Sequence, residues 1–145
     1  MHAFRMGNNV IAYHKNGIKY GMTCAWATMI DYDHIAMLLG SQSVTGNNLA
    51  VGDVVGVSAL SNGQKEISLQ IGTNHSDELD KFEGVPVIED KTAILIKNAK
   101  VQMICKVFKI MKLVDENDNF VILKILSSNV DKSKEFLSLE EVLPE

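Results

Sequence analysis

The stretch Gly21-Met22-Thr23-Cys24-Ala25-Trp26-Ala27-Thr28 decides how this chain is read. It falls inside a strand-like run over 18–30, and alternate residues of a strand share a face. Gly21, Thr23, Ala25 and Ala27 therefore share one side, and that side is almost bare. Small residues in a strand mark close approach to the backbone. What approaches can be a neighbouring element of an ordinary barrel, or a flat ring within reach of peptide N–H and C=O groups. Spacing alone leaves both readings open.

Working outward, an apolar run over 9–14 ends at Asn16-Gly17, a hairpin turn signal. On the other side Asp31-Tyr32-Asp33 breaks the run, and 34–39 resumes as a buried strand. Residues 40–48 are polar and turn-like, with a helical turn expected near 47–51. Within them Ser41, Gln42, Ser43 and Thr45 offer three hydroxyls and an amide. Hydroxyls are common in surface turns because they bond to nearby backbone. After a ring-binding strand, the same groups suit an anionic tail such as a phosphate.

Further along, 54–60 reads as a strand and 64–72 as a weak helix. Ser76 is a candidate N-cap for a short helix through Phe82, with Asp77 and Glu78 in its first turn. The second half is more clearly β. Residues 92–97 form a strand. The run 100–113 is apolar on both faces, with Val101, Met103, Cys105 and Val107 on one and Ile104, Phe108 and Ile110 on the other. After a turn at 115–119, 120–126 returns antiparallel, and the tail from Ser133 is peripheral. Six or seven strands with short helices define a mainly β chain, a closed or partly closed antiparallel barrel. A two-sheet sandwich is the alternative.

With 145 residues, 46% hydrophobic and 22% charged, the chain is expected to form one packed domain over 1–145. Its net charge is −4 and its basic residues are scattered, which argues against a nucleic-acid partner. No stretch approaches the ~20 apolar residues of a membrane span, and the first residues lack the order of a signal peptide. A cytoplasmic protein is the expectation. Cys24 and Cys105 are far apart and read as buried thiols. The four histidines have no metal-ligand spacing, and Gly52-Asp53-Val54-Val55-Gly56 does not match a dinucleotide fingerprint.

A planar head and an anionic tail describe a flavin mononucleotide (FMN). The order of Gly-Met-Thr-x-x-Trp on a strand, a second apolar strand, a Ser/Thr-rich turn, another strand and then Asp80-Lys81-Phe82 resembles the flavin reductase-like, flavoredoxin-type family. The likeness runs from about residue 10 to about residue 130. Residues 31–34 lack the prolines common in relatives, and the short chain leaves little sequence for an accessory segment. The resemblance implies a Greek-key antiparallel split barrel with short peripheral helices. It also implies a homodimer with one FMN per subunit near the interface.

On the same basis Met22, Thr23, Cys24, Ala25, Trp26, Ala27 and Thr28 face the flavin, and Ser41, Gln42, Ser43 and Thr45 meet its phosphate. Ser76 and Lys81 lie toward the same pocket, with Lys81 a candidate cation beside the ring. Alternation puts Trp26 opposite Ala25, in the core or at a dimer interface, with Cys24 beside it as an inert thiol. The implied activity is electron transfer, by an NAD(P)H-dependent flavin reductase or by a flavoredoxin-like carrier fed by another redox protein. A non-enzymatic flavin-binding or ligand-sensing barrel is the alternative.

Overall fold

The computed structural model describes residues 4, 6–40, 43–73, 80–112, 118–138 and 142. Asn16 and Gly17 both take positive φ, 52° and 78°, the requirement of a tight type I′ hairpin. They join β1 (Asn9–Lys15) to β2 (Ile18–Cys24), with Ala12 opposite Gly21 and Val10 opposite Thr23. β1 is buried on both faces. Ile11 and Tyr13 point into the barrel, whereas Val10 and Ala12 point into a second cluster outside it.

Seven more strands complete the sheet: β3 (Ala27–Met29), β4 (His34–Leu39), β5 (Val54–Ala59), β6 (Val87–Asp90), β7 (Ala93–Ile96), β8 (Val101–Met111) and β9 (Asn119–Val130). They run in the order β3-β4-β9-β8-β5-β1-β7-β6, with β2 on β1, and every pairing is antiparallel. The interior is filled by Ile11, Met37, Val57, Val107 and Leu123. α1 (Val44–Asn47) and α2 (Lys65–Thr73) are the two described helices longer than a single residue. α2 lies on the outer cluster, where Ile71 meets Phe82, Ile94, Ile96 and Leu137.

The expected continuous strand over 18–30 is two strands. The Ala27 N–H turns back to the Ala25 carbonyl at 3.1 Å, bending the chain at Ala25-Trp26. At that bend the Leu38 N–H donates to the Trp26 carbonyl at 2.9 Å. Beyond Leu38, β4 and β2 part, and among the described residues β2 pairs only with β1. The barrel is split there.

Other expectations are corrected in detail. The helical turn sits at Val44–Asn47 rather than near 47–51, because Ser43 caps it by accepting from the Gly46 N–H at 2.9 Å. Residues 80–84 form turns, not a helix end, with Asp80 accepting from the Phe82 N–H. β8 carries a register shift between Val107 and Lys109, which turns Ile110 onto the core side and leaves Phe108 outside. The tail is not peripheral: the Leu137 N–H donates to Leu60 O, and Leu137 is 2% exposed.

Candidate functional site

A groove of about 350 Å³ opens beside the split, within the roughly 300–1,000 Å³ of small-molecule sites. One wall is the end of β2 and the bend, Met22 to Trp26. A second is Leu38 and Gly40 at the end of β4. The third is α2, through Ser68, Leu69 and Gly72, with Asn8 and Val142 completing the lining. Ala25, Gly40, Ser68 and Gly72 are the small residues of this lining. A Cβ on Gly40 would meet nothing within 4 Å, whereas one on Gly72 would already touch Thr23 at 3.4 Å.

No charged side chain lines the groove among the described residues, and the side chains of Asn8, Thr23 and Ser68 are already engaged. Thr23 Oγ1 donates to Ser68 O at 2.9 Å, Ser68 Oγ to Asn8 Oδ1 at 2.9 Å, and Asn8 Nδ2 to Leu137 O at 3.2 Å. The Cys24 thiol lies 3.4 Å from both Trp26 O and Leu38 O. Burial pushes it up to about 11. At neutral pH it is a protonated thiol and a poor nucleophile. Among the described residues nothing accepts from the N–H of Ala25 or Trp26, and both residues line the groove. A small-residue floor with two such donors fits a flat heterocycle with acceptor atoms on its edge.

The bare face of β2 divides between protein and groove. Gly21 is covered by the Phe82 ring, whose Cε2 would lie 3.0 Å from an added Cβ, and Thr23 is bonded to α2. Here the small residues make way for neighbouring elements. Ala25 faces the groove. Trp26 is 59% exposed and lines it, so in this chain it is not core. The bend breaks the alternation that put Trp26 beside the buried Cys24. Ala27 and Thr28 leave the groove and line a second one with Met29, Tyr32, Met103 and Val130.

Ser43 flanks the first groove, its hydroxyl 2.9 Å from Met22 Sδ. Thr45 is buried, its carbonyl accepting from Tyr13 Oη at 2.6 Å. Ser41, Gln42 and Ser76 lie outside the described residues. Lys81 is neither solvated nor in the groove lining. Its side chain is 3% exposed, and Nζ donates to the Gly21 carbonyl at 2.7 Å. Burial lowers its ammonium to about 8.

The contributions of Asn8, Leu38, Gly40, Ser68, Leu69 and Gly72 escape a sequence reading because they come from three separate segments. One signal existed: a glycine near the end of an amphipathic helix, Gly72, marks close approach. A further grouping also escaped it. His34 Nδ1 lies 3.0 Å from Asp31 Oδ1 and 2.8 Å from Asp33 Oδ1, on the exposed β3–β4 hairpin.

An antiparallel barrel, split beside a small-residue groove, is the class of protein that this geometry defines. The chain belongs to the flavin reductase-like domain family, whose model matches residues 1–139. An NADH:FAD oxidoreductase from Streptomyces globisporus is similar in fold at 20% identity and TM-score 0.81, over 92% of this chain and 80% of that one. A flavoredoxin from Methanosarcina acetivorans is similar at 15% identity and TM-score 0.79, over 91% and 72%. A Shewanella frigidimarina protein with a split barrel domain is similar at 16% identity and TM-score 0.77, over 88% and 68%. No curated protein matches the chain significantly. Among the described residues no helix is long and apolar enough to cross a membrane.

Proposed function

We propose that this protein is an FMN-binding electron-transfer protein, either an NAD(P)H-dependent flavin reductase or a flavoredoxin-like carrier. The observation that carries this reading is the groove at the bend. The Ala25 and Trp26 N–H groups would hold the ring edge, with Met22, Thr23 and Cys24 forming the wall behind it. Ser43, with Ser41, Gln42 and Thr45 in the same segment, would meet the phosphate, and Ser76 would lie toward the same pocket.

The flavin supplies the redox chemistry when bound, accepting and passing on electrons. The chain's own work is to bind and orient the ring and leave one face open to a donor. Among the described lining residues, the buried neutral Cys24 thiol and the engaged hydroxyls leave no side chain poised as acid or base. That is consistent with hydride transfer, which needs neither.

The test is an absorbance spectrum of purified protein with FMN before and after anaerobic NADH or NADPH. A flavin band bleached by both nucleotides supports the reductase. We expect weak binding and little preference between them, since an extra phosphate would need an arginine cluster and Arg5 is the only arginine. A strong NADPH preference would count against this account. A bound flavin reduced by neither would make the protein a carrier. Protein that retains no flavin would overturn the reading.

We also propose a homodimer. The second groove and its rim expose Met29 (57%), Tyr32 (101%), Val130 (49%) and Phe136 (56%) together, and clustered exposure of this kind marks interaction surfaces. Sedimentation at low micromolar concentration should give about twice the 16.0 kDa chain mass. A flavin-loaded monomer would refute it. The expected cytoplasmic location is proposed on the same footing as the donor.

A further inference from the structure

Lys81 is the one lysine buried to 3% exposure among the described residues. A lysine ammonium has three donors. Here the described structure gives it one acceptor, the Gly21 carbonyl at 2.7 Å. Among the described residues no carboxylate pairs with it. Among the described residues, the charged groups on the elements packed around it are Lys19 on β2, Lys65 and Glu66 on α2, and Asp80 and Glu83 beside it. All are exposed except the half-buried Lys19. Taking a charge out of water costs several kcal/mol unless a partner compensates it.

The segment is nonetheless held in place. Gln70 Nε2 on α2 donates to Lys81 O at 2.8 Å and to Glu83 O at 2.9 Å, and Phe82 packs on Gly21. The charge is therefore fixed at the open edge of β2. Met22 and Thr23, the next two residues after Gly21, line a groove that has no described charge of its own. A fixed cation beside a groove with no described charge of its own is arranged to act on whatever anion enters.

We propose that Lys81 is a positioning residue whose buried charge serves as the fixed counter-charge of the groove, favouring the more negative state of a flavin bound there. This rests on the flavin-binding reading. The cation acts from behind the β2 wall, not by contact. It should therefore affect the neutral oxidised ring little and the more negative reduced ring more.

The experiment compares wild type, Lys81→Met and Lys81→Gln, each loaded with riboflavin, which has no phosphate. Dissociation constants of the oxidised ring and midpoint potentials of the bound ring are measured. Both variants should bind the oxidised ring within about threefold of wild type. Both should lose about tenfold in relative affinity for the reduced ring, a fall of about 30 mV for a two-electron couple. Potentials unchanged in both variants would overturn the proposal. A shift in Lys81→Met but not Lys81→Gln would also overturn it, because the hydrogen bond and not the charge would then matter.

Wild-type protein that binds neither riboflavin nor FMN would instead refute the flavin reading. If the variants do not fold, wild type labelled at the lysine side chains decides. Reducing the bound riboflavin should raise the proton affinity of the Lys81 ammonium about tenfold over the oxidised complex, read from its NMR titration. An unmoved titration would overturn the proposal.

Discussion

Gly56→Ala should be the most damaging single-methyl substitution in this chain. Gly56 lies on β5 opposite Ala12 of β1. At that point β1 exchanges one partner for another: it pairs with β5 through Ala12 and with β7 at Tyr13. β7 crosses close over β5 there, with the Ile96 N–H donating to Ser58 Oγ at 3.0 Å and Thr92 Oγ1 to Val54 O at 2.7 Å. A Cβ on Gly56 would run into the Ile94 carbonyl, with the Ile94 carbon at 2.6 Å and its nitrogen at 3.0 Å. These are backbone atoms of a buried strand and cannot rotate away as a side-chain end can. Overpacking of a well-packed core costs about 1–3 kcal/mol and occasionally more, and the upper end is expected here. For a chain of this size, about 3 kcal/mol lowers Tm by roughly 6–12 °C. Gly7→Ala is the control, since its Cβ would meet only the Asn9 side chain at 3.8 Å. Thermal unfolding of both, without added flavin, makes the comparison. A Gly56→Ala protein that melts like wild type would show that β7 does not cross β5 as described.

That crossing also shows what the sequence left hidden. The β1–β2 hairpin is legible because Asn16-Gly17 has its own chemical signature, and the 34–39 strand because it is a continuous apolar run. β6 carries no such mark: Ile88, Glu89 and Asp90 are all exposed, and its turn into β7 uses Lys91 at φ 54° where glycine or asparagine is the usual residue. The bend at Ala25-Trp26 has no glycine or proline to announce it. It follows from Leu38 pairing with Trp26, a contact twelve residues away. The bulge at Phe108 is equally silent, because one extra residue in an apolar run leaves the composition unchanged. In the site, the small residues of β2 were visible but their use was not. Whether glycine makes room for Phe82 or for a ligand depends on where residues 80–85 fold back, and strand periodicity carries no information about that. Gly21 went to the protein and Ala25 to the groove.

Ala25→Leu should abolish flavin retention while leaving the fold intact. Ala25 is half-buried at the bend and faces the groove between Leu38, Gly40 and α2. The added isobutyl group would occupy the floor on which a flat ring must lie to reach the Ala25 and Trp26 N–H groups. It would displace no core side chain, because the space it enters is the groove itself. Filling a binding surface in this way should cost about 2–3 kcal/mol of affinity, roughly 30- to 150-fold in Kd. Ala27→Leu provides the contrast. Ala27 lies two residues on, past the bend, exposed and lining the second groove. Its substitution should leave flavin affinity within about twofold while perturbing self-association. If the chain ran straight through 18–30, Ala25 and Ala27 would share a face and both substitutions would weaken the flavin. The bend makes them differ. Flavin fluorescence titration and sedimentation of the two variants therefore separate a continuous strand from a broken one. Full flavin occupancy in Ala25→Leu would remove the ring from this groove altogether.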